Sequence, residues 1–267
     1  MSGKFLITAW MLVSATCPVL AADVQQLASR LAEYDKPAKE AEVGYKTSAN
    51  IVGASPVLAD QAVNNYLTLV GKTLVKNSGG DSYRWTFAAI DSPDINAFAA
   101  PGGYVFVTKG LLKALGSEDE VAAVLAHEIS HVRLKHYVKV AKKQVLAEYA
   151  MKSLNEGQAD GQLEAMSKAA TLILAKGLDK QSEYEADFQA MRILAQSGYD
   201  PSALVDVLST LEARSSDKGM AFLLSTHPSA AERIQSIGGC CVDAYQQYAT
   251  RNQGTRARFD KAIKTRL

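Results

Sequence analysis

Two histidines and a glutamate stand at a spacing that can bind and use a metal ion. His127 and His131 are four residues apart, and Glu128 directly follows the first. Four residues make about one turn of an α-helix, so both imidazoles would project from the same side. Two such imidazoles suit a tetrahedral zinc ion, which hydrolytic sites hold with three protein ligands and one open position. Glu128 would take a proton from a polarised water and later deliver it to the leaving amine of a peptide.

The alternative is that these three residues are ordinary core or surface side chains. On a helical wheel Glu128 falls within the apolar arc between Val124 and Val132, and the histidines lie at its edge. An ionised carboxylate that points into a core without a partner costs several kcal/mol. A metal site removes that cost, and the pattern therefore favours a metallohydrolase.

A third ligand is expected from the acidic segment at residues 182–187. We take the buried stripe of the predicted helix to be Tyr184, Phe188, Met191 and Ala195. Glu183 and Asp187 then lie together on its flank, and Glu185 points away. This placement predicts Glu183 as the ligand and Asp187 as the acceptor of a hydrogen bond from the outer nitrogen of a ligand histidine. Two alternatives remain: a solvated acidic face, or a capping box of Ser182 with Glu185.

The elements before this segment mix helix and strand. Apolar residues at helical spacing predict a helix over residues 60–76. Residues 83–90 and 104–108 have the composition of strands, and a Pro-Gly-Gly turn precedes the second. The order predicts an α+β fold that is mostly helical, with a small β-sheet beside the helix that bears His127.

Helix signals also flank the two candidate metal-binding segments. Ser117, followed three residues later by Glu120, is a capping box that opens the first of these helices. A second helix is predicted over residues 181–196 and stops at Gly198, and another begins with Asp200 as its cap. The candidate site is therefore expected to lie between helices.

Several short segments carry a family resemblance. They are Asn-Ala-Phe at 96–98, Gly-Gly-Tyr-Val-Phe-Val-Thr-Lys-Gly-Leu-Leu at 102–112, His-Glu-Ile-Ser-His at 127–131, Glu-Tyr-Glu-Ala-Asp at 183–187, Ser-Gly-Tyr-Asp-Pro at 197–201 and Thr-His-Pro at 226–228. Together they resemble peptidase family M48, the HtpX-like and CAAX-prenyl-protease-like zinc metallopeptidases, over about residues 60–237. Several motifs in the right order are far more specific than any one of them.

The resemblance implies a zincin-like fold with one zinc ion. The implied site residues are the zinc ligands His127, His131 and Glu183, the general base Glu128, and Asp187 as the partner of a ligand histidine. The implied substrate-binding residues are Asn96, Ala97, Phe98 and Ala99, which would border the cleft. A substrate that adds there as an extended strand gains main-chain hydrogen bonds with little sequence selectivity.

Two further histidines receive different predictions. In the family the His-Pro motif lies near the cleft, so His227 is predicted either to stabilise the oxyanion of the tetrahedral intermediate or to occupy the open zinc position in a latent state. The alternative is that His227 caps the helix that follows Pro228. His136 has no partner at ligand spacing and is predicted to be a surface residue.

The charge balance argues against a nucleic-acid-binding protein. Among 267 residues, Lys and Arg total 29 and Asp and Glu total 28, and no dense basic block is interleaved with aromatic residues. After the N-terminal segment, no apolar run approaches membrane-spanning length. The partners that the family resemblance implies are protein or peptide substrates, with envelope assembly machinery as a further candidate.

The first residues have the sequence pattern of a secretory signal peptide. Lys4 precedes an apolar run, and small residues near position 22 offer a cleavage site. The alternatives are an uncleaved membrane anchor and a lipoprotein attachment at Cys17. Cleavage predicts a periplasmic or secreted protein, in which only the adjacent Cys240 and Cys241 remain; an ordinary disulfide between neighbours is strained, and their role stays open.

The expected organisation centres on one catalytic domain. The segments are a signal peptide at 1–22, a polar and irregular N-terminal arm at 23–59 with one helix expected over residues 24–34, a zinc metallopeptidase domain at 60–237 with a helical insertion or lid at 138–177, and a C-terminal extension at 238–267. The chain resembles the soluble periplasmic branch of the family. The predicted function is a zinc-dependent endopeptidase that acts on unfolded or misassembled envelope proteins. The alternatives are a zinc-stabilised chaperone or scaffold and a metal-free helical interaction module.

Overall fold

Helices surround one small β-sheet, as the computed structural model shows. The structure describes residues 18–79, 82–153, 161–220, 223, 226–227, 229–238 and 254–267. The predicted mostly helical α+β class is confirmed. Residues 1–17 of the predicted signal, Pro228 and the Cys240–Cys241 pair lie outside the described residues. Among the described helices, none is both long enough and apolar enough to cross a bilayer.

The elements are numbered in chain order. The helices are α1 (Pro18–Ala32), α2 (Pro37–Ala54), α3 (Gln61–Asn77), α4 (Lys109–Ala114), α5 (Glu118–Arg133), α6 (His136–Ser153), α7 (Gln162–Lys176), α8 (Lys180–Ser197), α9 (Ala203–Ala213), α10 (Ala230–Gly238) and α11 (Gly254–Phe259). The strands are β1 (Thr86–Ile90), β2 (Ala97–Ala100) and β3 (Tyr104–Thr108). Single 3-10 turns occupy Glu33–Asp35 and Lys218–Met220, and a π-helical turn occupies Asp260–Lys264.

Side-chain caps set the ends of the two helices that build the candidate site. Ser117 Oγ accepts a hydrogen bond from the Glu120 amide at 3.2 Å, as the predicted capping box requires. Helix α8 begins after Asp179, whose carboxylate accepts from the Ser182 amide at 2.9 Å, so the alternative capping box that began at Ser182 is wrong. The same helix ends at Gly198, which has a left-handed φ of 75°.

The sheet has β3 at its centre. Strand β1 pairs with β3 in parallel, and β2 pairs with β3 in the antiparallel sense, with Phe98 opposite Phe106. The first predicted strand is shorter than expected and starts at Thr86, and β2 was not predicted as part of the sheet. The inner face buries Phe87 and Val105 in the main core, which also contains side chains of α3, α5, α8 and α9.

The N-terminal arm forms two helices: α1 overlaps the helix expected over residues 24–34, and α2 was not predicted. Ile51 of α2 packs against the cluster of Ala88, Ile90 and Phe106 on the outer sheet face. A Cβ at Gly44 would lie 1.7 Å from the Pro101 carbonyl oxygen, so this helix is docked closely on the β2–β3 turn. The buried positions of α2 include small and polar residues such as Gly44 and Thr47, and apolar periodicity therefore could not indicate the helix.

A second apolar core joins these N-terminal helices to the predicted insertion. It includes Leu27 and Leu31 of α1 with Val138 of α6 and Met166 and Ile173 of α7. The role of the insertion as a lid stays a prediction.

Candidate metal centre

Helices α5 and α8 pack side by side and contribute the candidate site. Helix α5 supplies His127, Glu128 and His131, and α8 supplies Glu183 and Asp187. The most exposed of these five is His127, at 5%. Burial of this many ionisable groups requires mutual pairing or a bound ion.

Ligand atoms of four residues converge at one point between the helices. Atoms of His127, His131, Glu183 and His227 all lie within 4.8 Å of one another. The two Nε2 atoms of His127 and His131 are 2.9 Å apart, and each lies 3.5 Å from an oxygen of Glu183. Nδ1 of His227 lies 2.8 Å from Glu183 Oε2. The donor set, three imidazoles and a carboxylate, is typical of a zinc or other divalent transition-metal site.

Unsatisfied polar atoms at this point fit a cation. Glu183 Oε1 and Glu128 Oε2 are buried and accept no hydrogen bond from any described residue. A buried acceptor without a partner carries a desolvation cost. The facing Nε2 atoms of His127 and His131 can share at most one proton between them. A divalent ion bound by both nitrogens and by Glu183 would satisfy the two imidazoles and the Glu183 oxygen together.

The two histidines differ in basicity when no metal is bound. Burial and the charge of Arg233 lower the pKa of His127, but hydrogen bonds to Asp187 and Glu183 outweigh them and raise it to about 9. Burial holds the pKa of His131 well below its usual range. The metal-free pair therefore carries one positive charge, on doubly protonated His127, and metal binding would release the extra proton.

Asp187 holds the outer nitrogen of His127. Its Oδ1 lies 2.9 Å from His127 Nδ1. Arg233 donates to both oxygens of the same carboxylate, from Nε at 2.8 Å and from Nη2 at 2.6 Å. Burial alone would raise the pKa of Asp187, but Arg233 lowers it to about 2. Asp187 is therefore ionised and can accept a hydrogen bond from Nδ1 of His127, which Arg233 Nη2 also approaches at 3.2 Å.

Glu128 borders a small cavity beside the convergence point. The cavity holds about 40 Å³ and is lined by Val124, His127, Glu128, Leu204, Val207, Leu208, Leu211, Leu223, His227 and Arg233. This space accommodates a water molecule. Burial raises the pKa of Glu128, while His127 and His227 oppose that rise. A carboxylate with a raised pKa next to a water-sized space is suited to proton transfer.

The family model for peptidase family M48 matches residues 61–240, which is more than half of the chain. The chain belongs to peptidase family M48. The family resemblance found in the sequence is thus confirmed, and so is the predicted metallopeptidase class.

Relatives in this family include enzymes from fungi and bacteria. The chain is 32% identical to the mitochondrial metalloendopeptidase OMA1 of Schizosaccharomyces pombe, over 64% of this chain and 51% of the relative. It is 29% identical to the beta-barrel assembly-enhancing protease of Escherichia coli, over 73% of this chain and 42% of the relative. The protein of the same description from Yersinia pestis is 31% identical, over 68% of this chain and 39% of the relative. The chain thus spans about half of each relative or less.

The buried face of α8 differs from the predicted one. Tyr184 and Phe188 are only partly buried, whereas Glu183 and Asp187 are 0% exposed and lie at the centre of the buried face. Met191 and Ala195 are buried as predicted. The prediction was wrong for Tyr184 and Phe188 because it assigned burial by apolarity, whereas this M48 site buries carboxylates. Glu185 is exposed and points away from the convergence point, as predicted.

His136 is not a surface residue, and that prediction is wrong. Only 2% of it is exposed, and its Nδ1 lies 2.9 Å from Nδ1 of His131. The cause is the turn between α5 and α6, where Lys135 adopts a positive φ of 58° and redirects the chain. Helical spacing alone could not reveal this contact, because the helix is broken between the two histidines.

Two contacts of the segment after α9 also depended on the tertiary structure. Arg233 was not predicted as a site residue. Its position six residues after His227, on the short amphipathic helix α10, is the feature of the sequence that could have indicated it. The alternative role of His227 as a helix cap is wrong, because Ser229 Oγ accepts from the Glu232 amide at 3.3 Å and the His227 ring faces Glu183.

The predicted substrate-binding residues lie at and just before β2. Asn96 precedes the strand and is buried, and Ala97, Phe98 and Ala99 belong to it. Strand β2 pairs with β3 on one side, and no described strand pairs with its other side. A cavity of about 280 Å³ adjoins the strand, with Asn96 and Phe98 on one wall and Leu174 of α7 on another.

Proposed function

We propose that the protein is a zinc-dependent metalloendopeptidase that hydrolyses peptide bonds of unfolded or misassembled envelope proteins. The observation that carries the proposal is the convergence of His127, His131 and Glu183 next to a buried Glu128 oxygen that accepts no hydrogen bond from the described residues. A purely structural metal site has no need of such a carboxylate. A hydrolytic site needs it as a general base.

His127, His131 and Glu183 would hold the zinc ion. When bound, zinc would polarise a water molecule and the scissile carbonyl. Glu128 would accept a proton from the attacking water, for which its raised pKa makes it a stronger base, and would then pass that proton to the leaving amine. Asp187, held by Arg233, keeps His127 oriented with Nε2 toward the zinc-binding point. No covalent bond to the enzyme forms.

The substrate would add as an extended strand to β2, which is an edge strand of the described sheet. Residues Asn96 to Ala99 are the proposed docking segment, and main-chain hydrogen bonds there demand an unfolded segment rather than a particular sequence. Helix α7 forms a wall of the cavity beside Phe98, which supports a covering role for the insertion at residues 138–177. Substrate entry would then require α7 to move.

His227 is proposed to close the site in a latent state. Its Nδ1 lies 2.8 Å from Glu183 Oε2 and within the ligand cluster, where it could take the fourth position on the metal. His227→Ala should then raise turnover of an unfolded protein substrate. A fall of about 10²-fold in turnover would instead indicate oxyanion stabilisation.

The envelope setting rests on the first residues and on the relatives. Residues 1–22 have the pattern of a secretory signal, which would direct the chain to the periplasm. The relatives from Escherichia coli and Yersinia pestis carry the description beta-barrel assembly-enhancing protease. We therefore propose misassembled outer-membrane proteins as substrates and the envelope assembly machinery as a partner. Comparison of one such protein in folded and unfolded form would test this, and equal cleavage of both forms would contradict it.

The decisive experiment compares the wild type with Glu128→Gln for casein hydrolysis and zinc content. The expected result is about one zinc per chain in both, chelator-sensitive cleavage by the wild type, and a loss of about 10²- to 10⁴-fold in the variant. Glu148→Gln is the matched control, because Glu148 is exposed on α6 and far along the chain from the ligand residues.

A second candidate function is a zinc-stabilised chaperone or scaffold. It is favoured by His227, because four protein ligands around one metal are typical of structural rather than catalytic sites. Zinc in both proteins with cleavage by neither, also after His227→Ala, would support this candidate. Absence of zinc from the wild type would contradict both.

A further inference from the structure

His136 is a buried histidine that the proposed mechanism does not use. It is the first residue of α6, and only 2% of it is exposed. The preceding Lys135, with φ of 58°, turns the chain sharply after α5. The turn brings the His136 ring against His131 on the side opposite to His127. A buried imidazole at this place needs partners for its nitrogens.

The contact with His131 has the geometry of a hydrogen bond between ring nitrogens. The two Nδ1 atoms are 2.9 Å apart, and the rings meet edge to face at 70° with centroids 5.1 Å apart. No other described side chain or main-chain group forms a hydrogen bond with Nδ1 of His131 in this structure. His136 is thus the partner of the outer nitrogen of this ligand.

The chemistry of a ligand histidine decides which nitrogen carries the proton. Nε2 of His131 faces Nε2 of His127 and Glu183, so it must be unprotonated to bind a metal. The proton of neutral His131 is then on Nδ1, and His136 must accept it with its own Nδ1. The proton of His136 is left on Nε2, with Glu185 Oε2 at 3.4 Å.

The two ligand histidines therefore have acceptors of different charge. His127 donates to Asp187, an ionised carboxylate, whereas His131 donates to an imidazole. To accept that hydrogen bond, Nδ1 of His136 must be unprotonated, so the acceptor is a neutral imidazole. A neutral acceptor orients the donor without adding a second negative charge beside the metal.

We propose that His136 is a positioning residue, which accepts the hydrogen bond from Nδ1 of His131 and so holds that ring in the tautomer and orientation in which Nε2 binds the metal. The inference rests on the proposed metal site, and it predicts an effect on zinc affinity that does not depend on hydrolysis.

The first test measures the zinc dissociation constant of the full chain by competition with a chromophoric chelator. His136→Phe keeps an aromatic ring but no acceptor, and we expect zinc to bind about 10- to 100-fold more weakly. His136→Gln offers a carbonyl acceptor and should retain most of the affinity. Ser167→Ala is the control, because Ser167 is buried in α7 and donates only to the Leu163 carbonyl, so its affinity should equal that of the wild type.

The second test needs no variant. Nitrogen-15 NMR of the imidazoles in the zinc-loaded wild type should show His131 protonated on Nδ1 and His136 protonated on Nε2. A proton on Nδ1 of His136, or wild-type zinc affinity in a folded His136→Phe, would overturn the inference. Failure of the proposed function is distinguishable, because the wild type itself would then bind no zinc or would bind it without cleaving casein.

Discussion

Glu118 and Glu128 lie on the same helix, α5, and both are buried, but their carboxylates have opposite surroundings. Arg258 and the Tyr199 hydroxyl both donate to Glu118, the latter at 3.3 Å. Glu128 leaves Oε2 without a hydrogen bond from any residue that the structure describes. Three helical turns thus separate a glutamate that anchors the C-terminal helix α11 from one that is available for chemistry.

The same contrast distinguishes Glu40 from Glu183. Glu40 of α2 is paired with Lys135 and accepts from the Tyr83 hydroxyl at 2.8 Å. Glu183 has one oxygen beside His227 and another, Oε1, that accepts no hydrogen bond within the described part of the chain. Burial alone therefore does not mark a functional carboxylate. A functional carboxylate is buried and also has an oxygen without a hydrogen bond from the protein, where an ion or a water molecule can bind.

Loss of the cation beside Glu118 should produce the largest change in stability. Arg258→Met would leave a fully buried carboxylate without its ion pair, and we expect the free energy of unfolding to fall by about 3 kcal/mol. The double variant with Glu118→Gln should recover part of that loss. The control is Arg256→Met on the same helix, because Arg256 is 71% exposed and its loss should cost no more than about 0.5 kcal/mol. Urea denaturation of the four proteins measures this, and equal losses in both single variants would contradict a structural role for Glu118.

The increase in stability caused by zinc should depend on Glu183 and not on Glu118. In chelator-treated protein, zinc at one hundred times its dissociation constant should raise the free energy of unfolding by about 2.7 kcal/mol. Glu183→Gln should lose most of this increment, because it removes a charged ligand. Glu118→Gln should keep the increment, even though its starting stability is lower. An equal increment in Glu183→Gln and wild type, measured by denaturation with and without zinc, would exclude Glu183 as a ligand.

The smallest expected effect is a pH dependence at Glu40. Burial raises the pKa of this carboxyl in the folded protein, and Lys135 opposes that rise. Because the folded state then binds the proton more tightly than the unfolded state, the contribution of Glu40 to stability declines as pH rises through its folded pKa. Lys135→Met removes the opposing cation, so its destabilisation should be larger at pH 7 than near pH 4.5.

The double variant Lys135→Met with Glu40→Gln provides the control for that pH effect. Gln has no proton to exchange, so the extra destabilisation at pH 7 should be absent. Denaturation curves at the two pH values measure the difference. A pH dependence that persists in the double variant would assign it to another group.

The sequence by itself determined the local features of this protein. Helical spacing placed His127, Glu128 and His131 on one side of α5, and the caps at Ser117 and Gly198 set the helix ends within a residue or so. These features depend only on residues within one or two turns of each other, so periodicity and capping residues predict them. Ordered motifs likewise identified the family.

Only the tertiary structure decided which distant groups complete the site. The turn at Lys135 brings His136 to His131, and α10 brings Arg233 to Asp187 across 46 residues of sequence. Tyr184 was assigned to the buried face because apolar residues are usually the buried ones. In this helix the carboxylates are buried instead, because they pair with histidine and arginine side chains of other helices. Contacts between helices depend on packing angles and turn geometry, which local residue patterns do not specify.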